Sequence, residues 1–227
     1  MTISAVLFDL DNTLMHRENT VRAFAPVLQN YFRELLGDEP IAAIEAALLE
    51  ADNGGYLDPN LGFDSLREQV GRLMIRAFPQ LSDVGDERIG DYWQEVFTTC
   101  AQPMPNMATT LATLADQYDL AVLSNGPENS RLKSAQGLNL TMPVYATGRI
   151  GIHKPNAGAF ASALNDLGWQ AEQVVYVGDH PVNDYQGAKN AGLTPIWVEG
   201  FHQWPHDQPA KLAISDLAEL PSLLASL

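Results

Sequence analysis

Four short runs along the chain are apolar at nearly every position instead of at alternate ones. They are residues 3–8, 120–124, 174–177 and 195–198, and each stops at a polar or glycine-bearing turn. Strands buried on both faces read this way, and they belong to a parallel sheet covered by helices. Helical patterns at 157–167 and 182–191 fall between the later runs, so strand and helix alternate, as in an α/β fold. The stretch from about 18 to 102 differs. Phe24, Leu28, Tyr31, Phe32 and Leu35 recur at helical spacing, and Pro26 predicts a kink or a late start. Residues 41–50 are rich in Ala and Leu; Leu66, Val70, Leu73, Met74 and Ala77 repeat the helical period, as do Ile89, Trp93, Val96 and Phe97. Asn53-Gly54-Gly55 and Asp58-Pro59-Asn60 are loop signals. A helical insertion therefore separates the first strand from the rest of the sheet, and residues 216–224 predict a closing helix.

Composition narrows the function. Of 227 residues, 46% are hydrophobic and 18% charged, enough to bury a core and too apolar for disorder. With 13 Lys+Arg against 28 Asp+Glu the net charge is −15. Such a chain repels nucleic-acid phosphates and anionic lipid, so neither is expected as a partner. No apolar run approaches the roughly 20 residues of a membrane span, and no secretory leader is expected, so the reading is cytoplasmic. The single cysteine, Cys100, excludes an internal disulfide and a multi-cysteine zinc site, and reads as a small core residue. His16, His153, His180, His202 and His206 form no ligand pair on one helix. His202 and His206 flank Pro205 and read as a surface loop.

In an open parallel sheet, sites form beyond the carboxyl ends of the strands. Four polar clusters fall there: Asp9-Leu10-Asp11-Asn12-Thr13, Ser124-Asn125-Gly126, Lys154-Pro155, and Gly178-Asp179 through Asp184. Asp9 and Asp11 directly after a buried strand are either turn residues or a carboxylate pair needing a cation, a lysine or a shared proton. Asp184 is either a helix-start residue or a further member of that acidic group. Ser124–Gly126 is either an ordinary turn or an anion cradle of hydroxyl and backbone N–H groups. Lys154 is either a solvated lysine or the one cation among the carboxylates. Taken together, Asp9, Asp11, Asp179 and Asp184 suit a hard cation that keeps some waters, which points to Mg²⁺.

These four clusters, in this order, resemble the motifs of the haloacid dehalogenase-like hydrolase superfamily. The resemblance covers residues 3–14 and about 103–227, with 30 residues between Ser124 and Lys154 and 25 between Lys154 and Asp179. It implies a Rossmann-like parallel-sheet core flanked by helices, formed by 1–15 and 96–227, and a small all-helical cap over 16–95. It also implies an Mg²⁺-dependent phosphatase of a small phosphorylated metabolite. Asp9 would be the nucleophile and Asp11 the acid–base. Ser124, Asn125, Gly126 and Lys154 would bind phosphate. Asp9, Asp11 (through its carbonyl), Asp179 and Asp184 would hold the metal. A sugar-phosphate mutase shares all four motifs. A dehalogenase lacks the acid that stands here as Asp11. A receiver-like phosphate-binding signalling module is shorter and has no helical insertion. Substrate choice would come from the cap, with the loop at 53–60, bearing Tyr56 and Asp58, as candidate.

Overall fold

The computed structural model describes residues 2–205 and 207–227, so His206 lies outside the described residues. The chain divides into two compact units. One comprises the residues up to His16 with Pro103–Ala135 and Asn139–Leu227; the other comprises Arg17–Gln102 with Gln136–Leu138.

The first unit is built on a six-stranded sheet. Its strands are β1 (Ala5–Phe8), β2 (Asp119–Ser124), β3 (Val144–Ala146), β4 (Val174–Gly178), β5 (Thr194–Val198) and β6 (Ala213–Ile214). They lie in the order β3-β2-β1-β4-β5-β6, and every adjacent pair is parallel. This is an α/β Rossmann-like fold. β1 is buried at all four positions and sits between β2 and β4, in register Phe8 with Val122 and Phe8 with Val177. Its central place explains the unbroken apolar run, since neither face nor edge meets water. β3 and β6, with three and two residues, carry no such run and were not legible in the sequence. On one face Ala5, Leu7, Leu123 and Tyr176 pack with Phe160 and Ala163 of the helix Ala157–Leu167. The closing segment starts at Asp216, which caps Leu217–Glu219 in a reciprocal capping box before the short helix Leu220–Leu224.

The second unit carries no strand among its described residues and is built on α1 (Arg17–Tyr31), α2 (Ile41–Asp52), α3 (Leu66–Ala77) and α4 (Asp86–Val96), with a single helical turn at Arg33–Leu36 after α1 and a mostly irregular loop between α2 and α3. Phe24, Leu28, Ile44, Leu48, Val70, Met74, Ile89 and Trp93 form its core, at the positions the 3.6-residue period marks. α1 starts at Arg17 and runs through Pro26, contrary to the expected late start. Pro26 and Arg22 are both exposed, so the carbonyl that proline deprives of an amide partner lies on the solvent side. Arg17 and Asp52 join the start of α1 to the end of α2 through two bonds of 2.8 Å, Nε to Oδ2 and Nη2 to Oδ1, both side chains buried. The boundary after this unit falls at Gln102, not at 95, because Phe97 is buried against Phe24 and Trp93. No helix among the described residues is long and apolar enough to cross a membrane.

Candidate active site

β1 lies where the strand order reverses, the place at which an open parallel sheet leaves a crevice beyond its carboxyl ends. Asp9 continues β1, its N–H donating to Val177 O at 2.8 Å, while Ser124 closes β2 and Asp179 follows β4. Neighbouring strands in register therefore deliver Asp9, Ser124 and Asp179 to one edge. All three are buried.

Lys154 settles its two readings decisively: it is 5% exposed. Its Nζ donates to Asp9 Oδ1 at 2.6 Å, to Asp184 Oδ1 at 2.7 Å and to Tyr176 Oη at 2.8 Å. Asn125 holds the lysine backbone, since its Oδ1 accepts from Lys154 N at 3.0 Å and its Nδ2 donates to Lys154 O at 3.1 Å. The Asn125 side chain thus clamps the loop after β2 to the lysine segment. The Gly126 N–H is directed at Thr147 Oγ1, 3.3 Å away, and Thr147 Oγ1 also lies 2.7 Å from His153 Nδ1.

Asp184 lies in the first turn of the helical segment Pro181–Gln186 without capping it. His180 takes that part, its Nδ1 accepting from the N–H groups of Val182 and Asn183 at 3.1 Å each. Asp184 turns inward, 1% exposed, with Oδ2 accepting from His180 N at 2.9 Å and Oδ1 from Lys154. Gly178 makes room for it: a Cβ there would lie 2.5 Å from both Cβ and Cγ of Asp184.

One oxygen each of Asp9, Asp179 and Asp184 lie within 4.8 Å of one another. Burial pushes the Asp9 carboxyl up to about 8; Lys154 opposes that shift, and Asp184, Asp179 and Asp11 add to it. Burial likewise raises Asp179, against the pull of His202, whose Nε2 lies 3.3 Å from Asp179 Oδ2. That hydrogen-bonding contact with Asp179 raises His202 in turn. With all three carboxylates ionised, as metal binding requires, three against one ammonium would leave two negative charges in a desolvated space, which one divalent cation would cancel. The donors are all carboxylate oxygens, the set a hard cation such as Mg²⁺ takes. The residues therefore fit the metal that the motifs imply.

Asp11 directs its carboxylate elsewhere, into an ion pair with Arg131 Nη1. Arg131 comes from the helix Glu128–Gly137 and lies over Gly126, whose missing Cβ would stand 2.7 Å from Arg131 Nε. Gly126 has φ +129°, a conformation that favours glycine in its own right.

Sequence reasoning missed Tyr176, Arg131 and His202 as members of this site. Tyr176 had one faint signal, a hydroxyl inside an otherwise apolar strand. Arg131 had none, since its partner lies 120 residues away. His202 belongs to no open surface loop, because it is half-buried against Asp179. At 53–60, Asp58 Oδ1 accepts from Asn60 N at 2.8 Å, and Gln69 Oε1 accepts from Asp58 N at 2.8 Å. Asp58 is thus engaged in holding its own loop, while Tyr56 is exposed.

The chain is similar to known proteins over most of its length. A phosphoserine phosphatase of Thermus thermophilus is 28% identical over 243 residues, covering 95% of this chain and 96% of that one. A phosphoglycolate phosphatase of Rhodospirillum rubrum is 26% identical over 229 residues, covering 93% and 86%. Among solved structures, a 2-haloacid dehalogenase from Pseudomonas syringae superposes with a TM-score of 0.62 at 28% identity, covering 99% of each chain. The profile of haloacid dehalogenase-like hydrolases matches residues 3–192, most of the chain and all four motif clusters. With the sheet order, the strand-end carboxylates and this match in agreement, the chain belongs to the haloacid dehalogenase-like hydrolases.

Proposed function

We propose that the protein is an Mg²⁺-dependent phosphatase that hydrolyses a small phosphorylated metabolite through an aspartyl-phosphate on Asp9. The observation that carries this reading is the convergence of Asp9, Asp179 and Asp184 on one buried lysine at the carboxyl edge of the sheet. The phosphatases among its relatives support it. Asp9, Asp179 and Asp184, with the Asp11 carbonyl, would hold Mg²⁺, which would neutralise the nucleophile and the phosphoryl oxygens together.

In the first step an Asp9 carboxylate oxygen attacks phosphorus, the bond to the leaving oxygen breaks, and Asp11 gives that oxygen a proton. In the second, water attacks phosphorus, Asp11 takes the water's proton, and the Asp9–phosphorus bond breaks to release phosphate. Lys154 balances negative charge at the nucleophile and the phosphoryl group, helped by Ser124 and the Asn125 backbone; the Gly126 N–H, directed at Thr147 Oγ1, takes no part as a donor. To serve as acid and base, the Asp11 carboxylate would have to turn from its ion pair with Arg131 toward this centre. The helical unit, as a cap, would select the substrate. We infer no nucleic-acid or membrane partner from the charge of −15.

The deciding experiment is a screen of purified protein with Mg²⁺ against phosphorylated metabolites, with 2-chloropropionate included. Phosphate release from a subset supports the phosphatase reading. Chloride release without phosphate release favours the dehalogenase reading that the Pseudomonas syringae likeness raises. Transfer between positions of a sugar phosphate without net release favours a mutase.

A further inference from the structure

Tyr176 stands in the middle of β4, wholly buried, and its hydroxyl serves none of the steps above. Its Oη accepts from Lys154 Nζ at 2.8 Å, and lies 3.0 Å from Leu123 O and 3.2 Å from Asp184 Oδ1. The hydroxyl has one hydrogen, which Leu123 O or Asp184 Oδ1 receives, so a lone pair faces the ammonium. The ammonium has three hydrogens, and Asp9, Asp184 and Tyr176 take one each. Two of these partners are carboxylates, from the end of β1 and from the turn after β4. Tyr176 is the neutral third point that stops the ammonium from sliding toward either one. The ring itself is fixed by the edge of Phe160, with centroids 5.1 Å apart at 74°.

We infer that Tyr176 is a positioning residue for Lys154: its hydroxyl fixes the ammonium between Asp9 and Asp184. The inference rests on the phosphatase reading for its kinetic consequence and on geometry alone for its structural one.

Tyr176→Phe removes one oxygen and keeps the ring and its contact with Phe160. A hydrogen bond to a charged group is involved, so kcat should fall about ten- to thirtyfold with KM within about twofold. Because Lys154 acts on the phosphoryl side, the loss should be equal for nitrophenyl phosphate and for an alkyl phosphate. The inhibition constant of orthovanadate, which imitates the five-coordinate phosphorus, should rise by the same factor. A purely structural role would lower the melting temperature and leave kcat and the vanadate constant in place; that result overturns the inference. A loss larger for the alkyl phosphate also overturns it, since the effect would then run through Asp11. Lysine-ammonium ¹⁵N NMR tests the geometry without turnover. One of the four lysines should give a slowly exchanging ammonium signal in wild type, assigned by its loss in Lys154→Met and absent in Tyr176→Phe. Fast exchange at Lys154 in wild type refutes the positioning even if the variant fails to fold. A slow signal in a protein that releases no phosphate refutes the phosphatase reading and leaves the positioning standing.

Discussion

Gly178→Ala tests whether the acidic turn is built around a missing side chain. The new Cβ would stand 2.5 Å from Cβ and Cγ of Asp184 and 2.7 Å from its Oδ2. The clash falls at the base of the Asp184 side chain, so a rotamer change cannot relieve it and the backbone must move. Overpacking of this kind costs about 1–3 kcal/mol. Moving Asp184 instead strains its bonds to His180 N at 2.9 Å and Lys154 Nζ at 2.7 Å, each charge-assisted and each worth about 1.5–3 kcal/mol. The cheaper route costs about 1–3 kcal/mol. At about 2–4 °C per kcal/mol for a chain of this size, the melting temperature should drop by about 2–12 °C. Calorimetry with and without Mg²⁺ is the assay, and the stabilisation by Mg²⁺ should shrink in the variant as Asp184 leaves its place. Gly151→Ala is the control: at φ +74° with nothing within 4 Å, it carries backbone strain alone, roughly 1 kcal/mol. If Gly178→Ala melts within 2 °C of wild type with an unchanged response to Mg²⁺, the packing argument is wrong.

Asp9→Asn should abolish turnover of every substrate, because an amide cannot attack phosphorus. Asp11→Asn should slow alkyl phosphates far more than nitrophenyl phosphate, whose leaving group needs little protonation, and rapid mixing should show a burst of about one equivalent before slow turnover. Exhaustive EDTA should remove hydrolysis and Mg²⁺ should restore it, and full activity in metal-free buffer would refute the assigned donor set. In the helical unit, Asp52→Ala should cost about 3–5 kcal/mol by stranding buried Arg17, while Arg17→Met with Asp52→Leu should cost far less, as read by urea unfolding.

Much of this protein was legible in the chain because its main strands are buried on both faces. Residues 3–8, 120–124, 174–177 and 195–198 had to be apolar at nearly every position, and the polar clusters that follow strand ends had to lie at one edge once the strands were parallel. β3 and β6 escaped because two or three residues cannot establish a period. The late start that Pro26 suggested did not occur, because the rule against proline in a helix assumes a carbonyl with no other partner, and here that carbonyl lies on the solvent side. The candidate site divides in the same way. The order and residue types of Asp9, Asp11, Ser124, Lys154, Asp179 and Asp184 stood in the sequence. Aspartate serves equally well in a helix's first turn and in a buried cluster, so only the space left by Gly178 decided that Asp184 points inward. The partnerships of Tyr176 with Lys154 and of Arg131 with Asp11 had to wait for the fold. They join residues 22 and 120 positions apart, distances over which a sequence carries no period and only the strand order brings side chains together.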